Sequence, residues 1–321
     1  MVLVTGGTGF IGTHLVRRLL GAGQAVRCLV RSQTRARSLP AGVEAVYGDL
    51  TTGSGLPQAL RGADALIHLA GVTKAVAAAD YYAGNTRATR NLAAATAGLG
   101  LRLVHVSSLA AIGPSLDGYP VTEDSEPHPL THYGKSKLEA ELAIRELSPQ
   151  AVILRPPVVY GPNDRDVFQL LKSISRGIVL EIAGGERWFS VIYVKDLVEG
   201  ILATLGTRGV EGRAYFLSHA KPVSWRQFGA IAARIMNKSP MVLRVPPTVA
   251  QVAGWGAEIC SRIAGKPGIV SREKVAEALC RSWTCDIRRA AVELGFEAST
   301  SLEDGLAQTL PWYKEAGWLK Y

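Results

Sequence analysis

Cysteine is scarce in this sequence: Cys28, Cys260, Cys280 and Cys285 are the four among 321 residues, with no CxxC pair and no histidine at zinc-ligand spacing. The pattern offers neither a disulfide framework nor a metal site, so reduced thiols in a cytoplasmic chain are the expectation. Long apolar runs are missing as well. The stretch nearest to membrane length, residues 245–264, is broken by Gln251, Glu258 and Arg262. It reads as a surface helix open to peripheral membrane contact rather than as a span. Residues 1–7, MVLVTGG, already read as a strand and leave no room for a charged and apolar leader, which argues against secretion. Aromatics make up only 7%, and the 34 glycines and 16 prolines follow no collagen-like period, so fibrous and low-complexity readings fall away.

What is present is an ordinary globular composition, 47% apolar and 20% charged, enough for a large core. One or two domains fit the length, because single cores stop growing near about 250–300 residues. The 36 basic against 27 acidic side chains leave a formal charge of +9, a balance that can serve a polyanionic partner. The basic residues are scattered, however. Their densest group is Arg27, Arg31, Arg35 and Arg37, with a smaller one at Arg281, Arg288 and Arg289. That distribution fits a solvated surface with one phosphate site and gives no reason to expect nucleic acid.

Short runs rich in Val, Leu and Ile, each bounded by Gly, Pro or Asp, recur at residues 1–5, 25–30, 43–47, 64–69, 101–106 and 151–155. Such runs predict strands buried on both faces of a parallel sheet. Helical spacing at 10–22 and 86–98 falls between them, the alternation that a doubly wound α/β sheet requires. After Gly161-Pro162 the alternation fades, and 226–237, 247–264, 272–280 and 302–316 predict helices of a smaller, mostly helical lobe. The expected division is a sheet domain over 1–162, to which 188–217 return, and a substrate-binding lobe from 163–187 and 218–321.

The first strand runs straight into Gly6-Gly7-Thr8-Gly9-Phe10-Ile11-Gly12 and then a helix. Glycine at Gly6, Gly9 and Gly12 lets the backbone turn tightly, approach a pyrophosphate and pack helix on strand, while the helix N-terminus offers its free N–H groups to the anion. The sheet domain is therefore read as a Rossmann dinucleotide site. Its second strand ends at Arg31, where a site selecting NAD places Asp or Glu on the ribose 2′-hydroxyl. With Arg35 nearby, Arg31 suits a 2′-phosphate and favours NADP over NAD; the plain alternative is that both are exposed arginines at a helix entry. Asp49, closing the third strand, is placed to accept from an adenine amino group or to cap its own turn. His68 and His105, inside apolar strands, read as hydrogen-bonded core histidines.

Tyr133-Gly134-Lys135-Ser136-Lys137 opens a predicted helix, with Thr131 as N-cap and Ser148-Pro149 as its stop. Tyr133 and Lys137, at i and i+4, share a face. A phenol near pH 10 exchanges protons poorly at neutral pH, and an adjacent ammonium favours its phenolate. The fifth strand ends in Ser107-Ser108 at the carboxyl edge where open α/β sheets bind ligands. Ser108 can thus hydrogen-bond a substrate oxygen beside Tyr133, leaving Ser107 to cap the strand end.

In order along nearly the whole chain, Thr5 to Gly12, Gly48-Asp49-Leu50, His68-Leu69-Ala70-Gly71, Asn85, Asn91-Leu92, Ser107-Ser108 with Gly113, Tyr133 to Lys137, Leu154 to Pro162 and Tyr193-Val194-Lys195-Asp196-Leu197 resemble the landmarks of one family. It is the extended short-chain dehydrogenase/reductases, or NAD-dependent epimerase/dehydratase group. The resemblance implies that Ser108, Tyr133 and Lys137 form a catalytic triad and that Lys137 also holds the nicotinamide ribose. Pro156 and Val158 would line the nicotinamide, Asp49 and Leu50 the adenine, and Phe10, Ile11, Leu69 and Ala70 the rest of the cofactor. Asn85 would anchor a helix behind the site, and a homodimer follows by analogy.

Two departures narrow the expectation. Family dehydratases carry an acidic pair immediately after the serine, to protonate a leaving hydroxyl and abstract a proton; Leu109 and Ala110 stand there. Sugar-nucleotide epimerases place an arginine three residues before a later Ile-Tyr-Val; Phe189 stands there, with Arg187 nearby as a substitute. The tail, with Trp283, Glu293-Leu294-Gly295-Phe296 and Trp312-Tyr313-Lys314, resembles the 3β-hydroxysteroid dehydrogenase and dihydroflavonol-reductase-like branch, and Trp188 is a candidate pocket residue. The expectation is hydride transfer between a nicotinamide and a secondary alcohol or ketone of a small-molecule substrate. The alternatives are an epimerase with tightly held NAD and a non-catalytic dinucleotide sensor, which would need only the glycine site.

Overall fold

A computed structural model of the chain describes residues 1–266, 268 and 270–321. In chain order its strands are β1 (Val2–Thr5), β2 (Val26–Val30), β3 (Val43–Tyr47), β4 (Ala65–His68), β5 (Arg102–Val106), β6 (Val152–Arg155), β7 (Val158–Tyr160), β8 (Ile178–Ile182), β9 (Trp188–Phe189), β10 (Val191–Tyr193), β11 (Ala214–Phe216), β12 (Val223–Ser224), β13 (Met241–Val245) and β14 (Ser282–Trp283). Seven of them form one sheet in the order β11-β6-β5-β4-β1-β2-β3. Every neighbour in it pairs in parallel.

Period-two alternation explains how the sheet is covered on both sides. Val2 and Val4 of β1 point to one face and join Leu15, Val16 and Leu19 of the helix Phe10–Gly21 and Leu197 and Ile201 of the helix Val194–Gly206. Leu3, between them, points to the other face and joins Leu92 of the helix Ala88–Thr96 and Ile144 of the helix His132–Leu147. Hence the fold is doubly wound, and the order reverses between β1 and β4, at the crevice where such sheets hold ligands.

A third core joins Tyr160 and Tyr193 to Phe228, Leu306, Leu310 and Tyr313, from the helices Trp225–Ile235 and Leu302–Glu315. These helices and Pro247–Ala264 and Arg272–Leu279 fall where the spacing predicts them. The short strands were not foreseen: β10 pairs with β7, β9 lies between β12 and β14, and β13 pairs with β8. β7, β9, β10, β12 and β14, of two or three residues, carry no measurable period; β8 and β13 run for five. Among the described residues no helix is long and apolar enough to cross a membrane.

Candidate active site

The glycine turn sits at the sheet's crevice. Gly6 has φ +75°, and a Cβ there would lie 2.6 Å from the Ala70 nitrogen; a Cβ at Gly12 would lie 2.1 Å from the Gly6 carbonyl oxygen. Only hydrogen fits at either place, so the backbone of the turn stays bare beside Leu69 and Ala70 at the end of β4. Gly9 donates to the Gly6 carbonyl at 2.9 Å and delivers the chain into the helix, which Phe10 and Ile11 open. Bare backbone at a helix N-terminus is what a pyrophosphate requires, so these residues fit a dinucleotide.

At the rim, Arg31 is exposed at the end of β2. Asp49 Oδ1 accepts from the Thr51 N–H and hydroxyl, each at 2.8 Å. Those bonds first, and the Arg31 charge after them, hold the Asp49 carboxyl below the usual carboxylate range. Asp49 therefore caps its own turn. Asn91 secures that turn by donating to the carbonyls of Leu50 and Thr51 at 2.8 and 3.1 Å, while Leu50 is buried beneath it. Arg35 lies exposed on the short helix Gln33–Ala36, which Ser32 caps.

Thr131 caps the helix His132–Leu147 through the Gly134 N–H at 3.1 Å. A Cβ at Gly134 would lie 2.3 Å from the Ala110 carbonyl oxygen, so glycine there lets this helix press against the 3₁₀ turn Leu109–Ala111. The result sets Tyr133 and Ser108 on the wall of one cavity, the serine hydroxyl near enough to favour the phenolate. Burial pushes the Tyr133 phenol up; Ser108 and the Lys274 ammonium pull it back, and Glu277 and Asp166 oppose them. The expected lowering of the phenol by the Lys137 ammonium is not met: burial outweighs the charges around Tyr133, Lys274 among them. Lys137 Nζ instead donates to the Val106 carbonyl at 2.8 Å, and burial holds its ammonium down to about 8, with Glu141 countering.

Two other readings are corrected. Ser108, not Ser107, is the capping serine, accepting from the Ala110 N–H at 3.2 Å, whereas the Ser107 hydroxyl is buried with no partner among the described residues. His68 is hydrogen-bonded, to Thr5 at 2.6 Å and Thr89 at 2.9 Å, but both ring nitrogens of His105 are buried without a partner among the described residues. The His105 ring packs on His68 at 5.1 Å between centroids, and burial keeps both neutral by lowering their pKa values. Asn85 lies on a π-helical turn, Tyr82–Arg87, and binds both polar groups of Val72 and the Ser136 hydroxyl, which ties that turn to the Tyr133 helix.

Ser108, Tyr133 and Val158 face a cavity of about 370 Å³ with Leu109, Ala110, Pro157, Leu170, Trp188, Trp225 and Trp283. Pro156 stands behind it, its carbonyl accepting from the Leu109 N–H at 2.9 Å. Arg187 also borders the cavity, but its guanidinium donates to the carbonyls of Ile182, Gly185 and Ala183 and holds its own loop. Lys74, Asp166, Lys274 and Glu277 are the other charged side chains of the lining, beside the polar Gln169 and Ser190, and Lys74 pairs with Asp166. Sequence reasoning missed these four. No local motif marks them; Lys274 and Glu277 arrive because the helix Arg272–Leu279 docks on the Tyr133 helix, where Glu273 accepts the His132 N–H at 2.8 Å, and Lys74 and Asp166 come from separate loops.

A family model described as the NAD dependent epimerase/dehydratase family matches residues 2–217. A ceramide reductase of Caulobacter vibrioides is 32% identical, covering 99% of this chain and 96% of its own length. The N-acetyl-alpha-D-glucosaminyl-diphospho-ditrans,octacis-undecaprenol 4-epimerase of Escherichia coli O157:H7 is 29% identical over 96% of this chain and 94% of its own. Among solved structures, MoeE5 in complex with UDP-glucose and NAD superposes with a TM-score of 0.79 at 27% identity, covering 98% of this chain and 99% of that one. The glycine turn, the seven-stranded sheet and these likenesses converge: the chain belongs to the NAD dependent epimerase/dehydratase family, among the nicotinamide-dependent oxidoreductases and epimerases of the extended short-chain dehydrogenase/reductase group.

Proposed function

We propose that the chain is a reductase that converts a ketone to a secondary alcohol on a substrate with a long apolar body, with NADP as its preferred cofactor. The observation that supports it is the cavity, in which the hydroxyls of Ser108 and Tyr133 meet a wall of Leu109, Ala110, Leu170, Trp225 and Trp283. Such a wall suits an alkyl chain better than a sugar diphosphate, whose charges would need the arginine that Arg187 spends on its own loop. Residues 163–187 and 218–321 act in this reading as the substrate-binding lobe.

Gly6, Gly9 and Gly12, with Phe10 and Ile11, would hold the pyrophosphate, Asp49 and Leu50 the adenine, and Leu69, Ala70, Pro156 and Val158 the remainder. Arg31, with Arg35, would pair a 2′-phosphate. The nicotinamide, when bound, supplies the hydride. Tyr133 gives its phenolic proton to the carbonyl oxygen as that oxygen gains charge, and Ser108 donates a hydrogen bond that fixes it. Lys137, anchored on the Val106 carbonyl, keeps further N–H groups for the ribose and for replacing the proton on Tyr133. The lobes align the reacting carbon, and such positioning contributes several orders of magnitude in rate. A cytoplasmic location, where the four unpaired thiols stay reduced, and a homodimer belong to the same proposal.

The decisive measurement is NADPH oxidation with alkyl ketones of increasing chain length. Consumption should be stoichiometric and strengthen with chain length; an epimerase would hold its cofactor and consume none. Tyr133→Phe should bind NADPH normally while turnover falls on the order of a hundredfold or more. Unchanged turnover in that variant would overturn the assignment.

A further inference from the structure

The helix Pro247–Ala264 inverts the usual arrangement of a surface helix. It packs inward through small residues: Ala250 and Gly254 are buried, and a Cβ at Gly254 would lie 2.8 Å from the side chain of Val275 on the next helix. A helix of this length spans about 27 Å. Along its outward side, at spacings of three and four, stand Val249, Val252, Trp255, Ile259 and Ile263. Val252 is 72%, Trp255 58% and Ile263 83% exposed, where a soluble helix carries charge. Just before it, separated by Pro246, β13 exposes Met241, Val242 and Leu243.

Two features say what covers this face. From 238 to 274 the chain carries six basic side chains against two acidic ones, Glu258 and Glu273; Arg244, Arg262 and Lys274 pair with Glu181, Glu258 and Glu277, and Lys238, Lys266 and Arg272 add the net positive charge. An apolar stripe with a tryptophan and a basic surround is the composition that seats a helix in an anionic lipid interface. The face is also continuous with the catalytic centre. Val252 and Trp255 line a second cavity of about 830 Å³, and this cavity shares Lys74 and Lys274 with the one that holds Tyr133.

We infer that the outer face of the helix Pro247–Ala264 docks on an anionic membrane surface and that an amphiphilic substrate enters from there between the helix and Tyr133. The docking stands by itself; the entry route rests on the apolar-substrate reading above. The helix lies in the interface and does not span it.

The test is flotation of the full chain with vesicles of phosphatidylcholine and phosphatidylglycerol, beside the variant carrying Ile259→Glu and Ile263→Glu. Neither residue lines either of these two cavities. The wild-type chain should float with phosphatidylglycerol vesicles and weaken as salt rises, and the variant should bind on the order of tenfold or more weakly. NADPH oxidation with a short, water-soluble ketone should be the same in both, while oxidation with a long-chain ketone in vesicles should fall in the variant. Failure of both ketones in the wild type would strike the reductase reading and leave the flotation result intact. Absence of flotation, or equal flotation by the variant, overturns the docking. So does a dimer in light scattering that the variant dissociates without any vesicle binding, since a second copy would then own the face.

Discussion

Arg155 and Glu141 form an ion pair sealed inside the protein, with Arg155 Nε 3.1 Å from Glu141 Oε1 and Nη2 2.7 Å from Oε2. The pair joins the end of β6 to the middle of the Tyr133 helix. Burying two charges gains little by itself, but breaking the pair leaves one of them stranded. Glu141→Gln should therefore cost about 3–5 kcal/mol in a urea melt, and the double change Glu141→Leu with Arg155→Met should recover most of it. A single variant as stable as the wild type would show that the charge escapes to water.

Gly12→Ala tests the glycine turn. Its Cβ would overlap the Gly6 carbonyl oxygen, 2.1 Å away, so the helix must slide off the turn. NADPH binding by fluorescence should weaken on the order of tenfold or more, with a stability loss of about 1–3 kcal/mol. Wild-type affinity would mean that the turn is not the pyrophosphate cradle.

Arg31 offers a cleaner discrimination, because it is exposed and its replacement should leave the fold alone. Arg31→Asp should weaken NADPH on the order of tenfold relative to NADH, about 1.4 kcal/mol of charge-assisted pairing. An unchanged ratio of the two affinities removes the case for NADP.

Lys137 sets a pH dependence with opposite signs for activity and stability. Its ammonium, held down to about 8 by burial, loses its proton before the unfolded chain does at 10.5. Folding is therefore favoured increasingly as pH rises from about 8 to 10.5, whereas kcat/KM should fall over the same range as the ammonium is lost. Lys137→Arg should retain less activity and lose this alkaline limb. A limb that persists unmoved in that variant assigns it to another group.

Much of the fold was legible because its signals are local. The six apolar runs became β1 to β6 within one residue at each end, since strands buried on both faces must be apolar throughout. Thr131 and Ser148 bounded the Tyr133 helix for the equally local reason that a cap contacts only its own first or last turn. Serine proved harder. Nothing within Ser107-Ser108 says which hydroxyl turns to the 3₁₀ turn and which is buried alone, because the turn is also held by the Pro156 carbonyl, which engages Leu109 from the link between β6 and β7.

The sequence by itself thus determined the alternation of strand and helix, the glycine turn and the i, i+4 placement of Tyr133 and Lys137, since each is written in neighbours along the chain. Tertiary structure alone decided that burial and Lys274 bear on Tyr133, that His105 has no partner among the described residues, and that Lys74, Asp166, Lys274 and Glu277 share a cavity with Ser108. Electrostatic influence falls with distance through space, and distance along the chain does not fix distance through space.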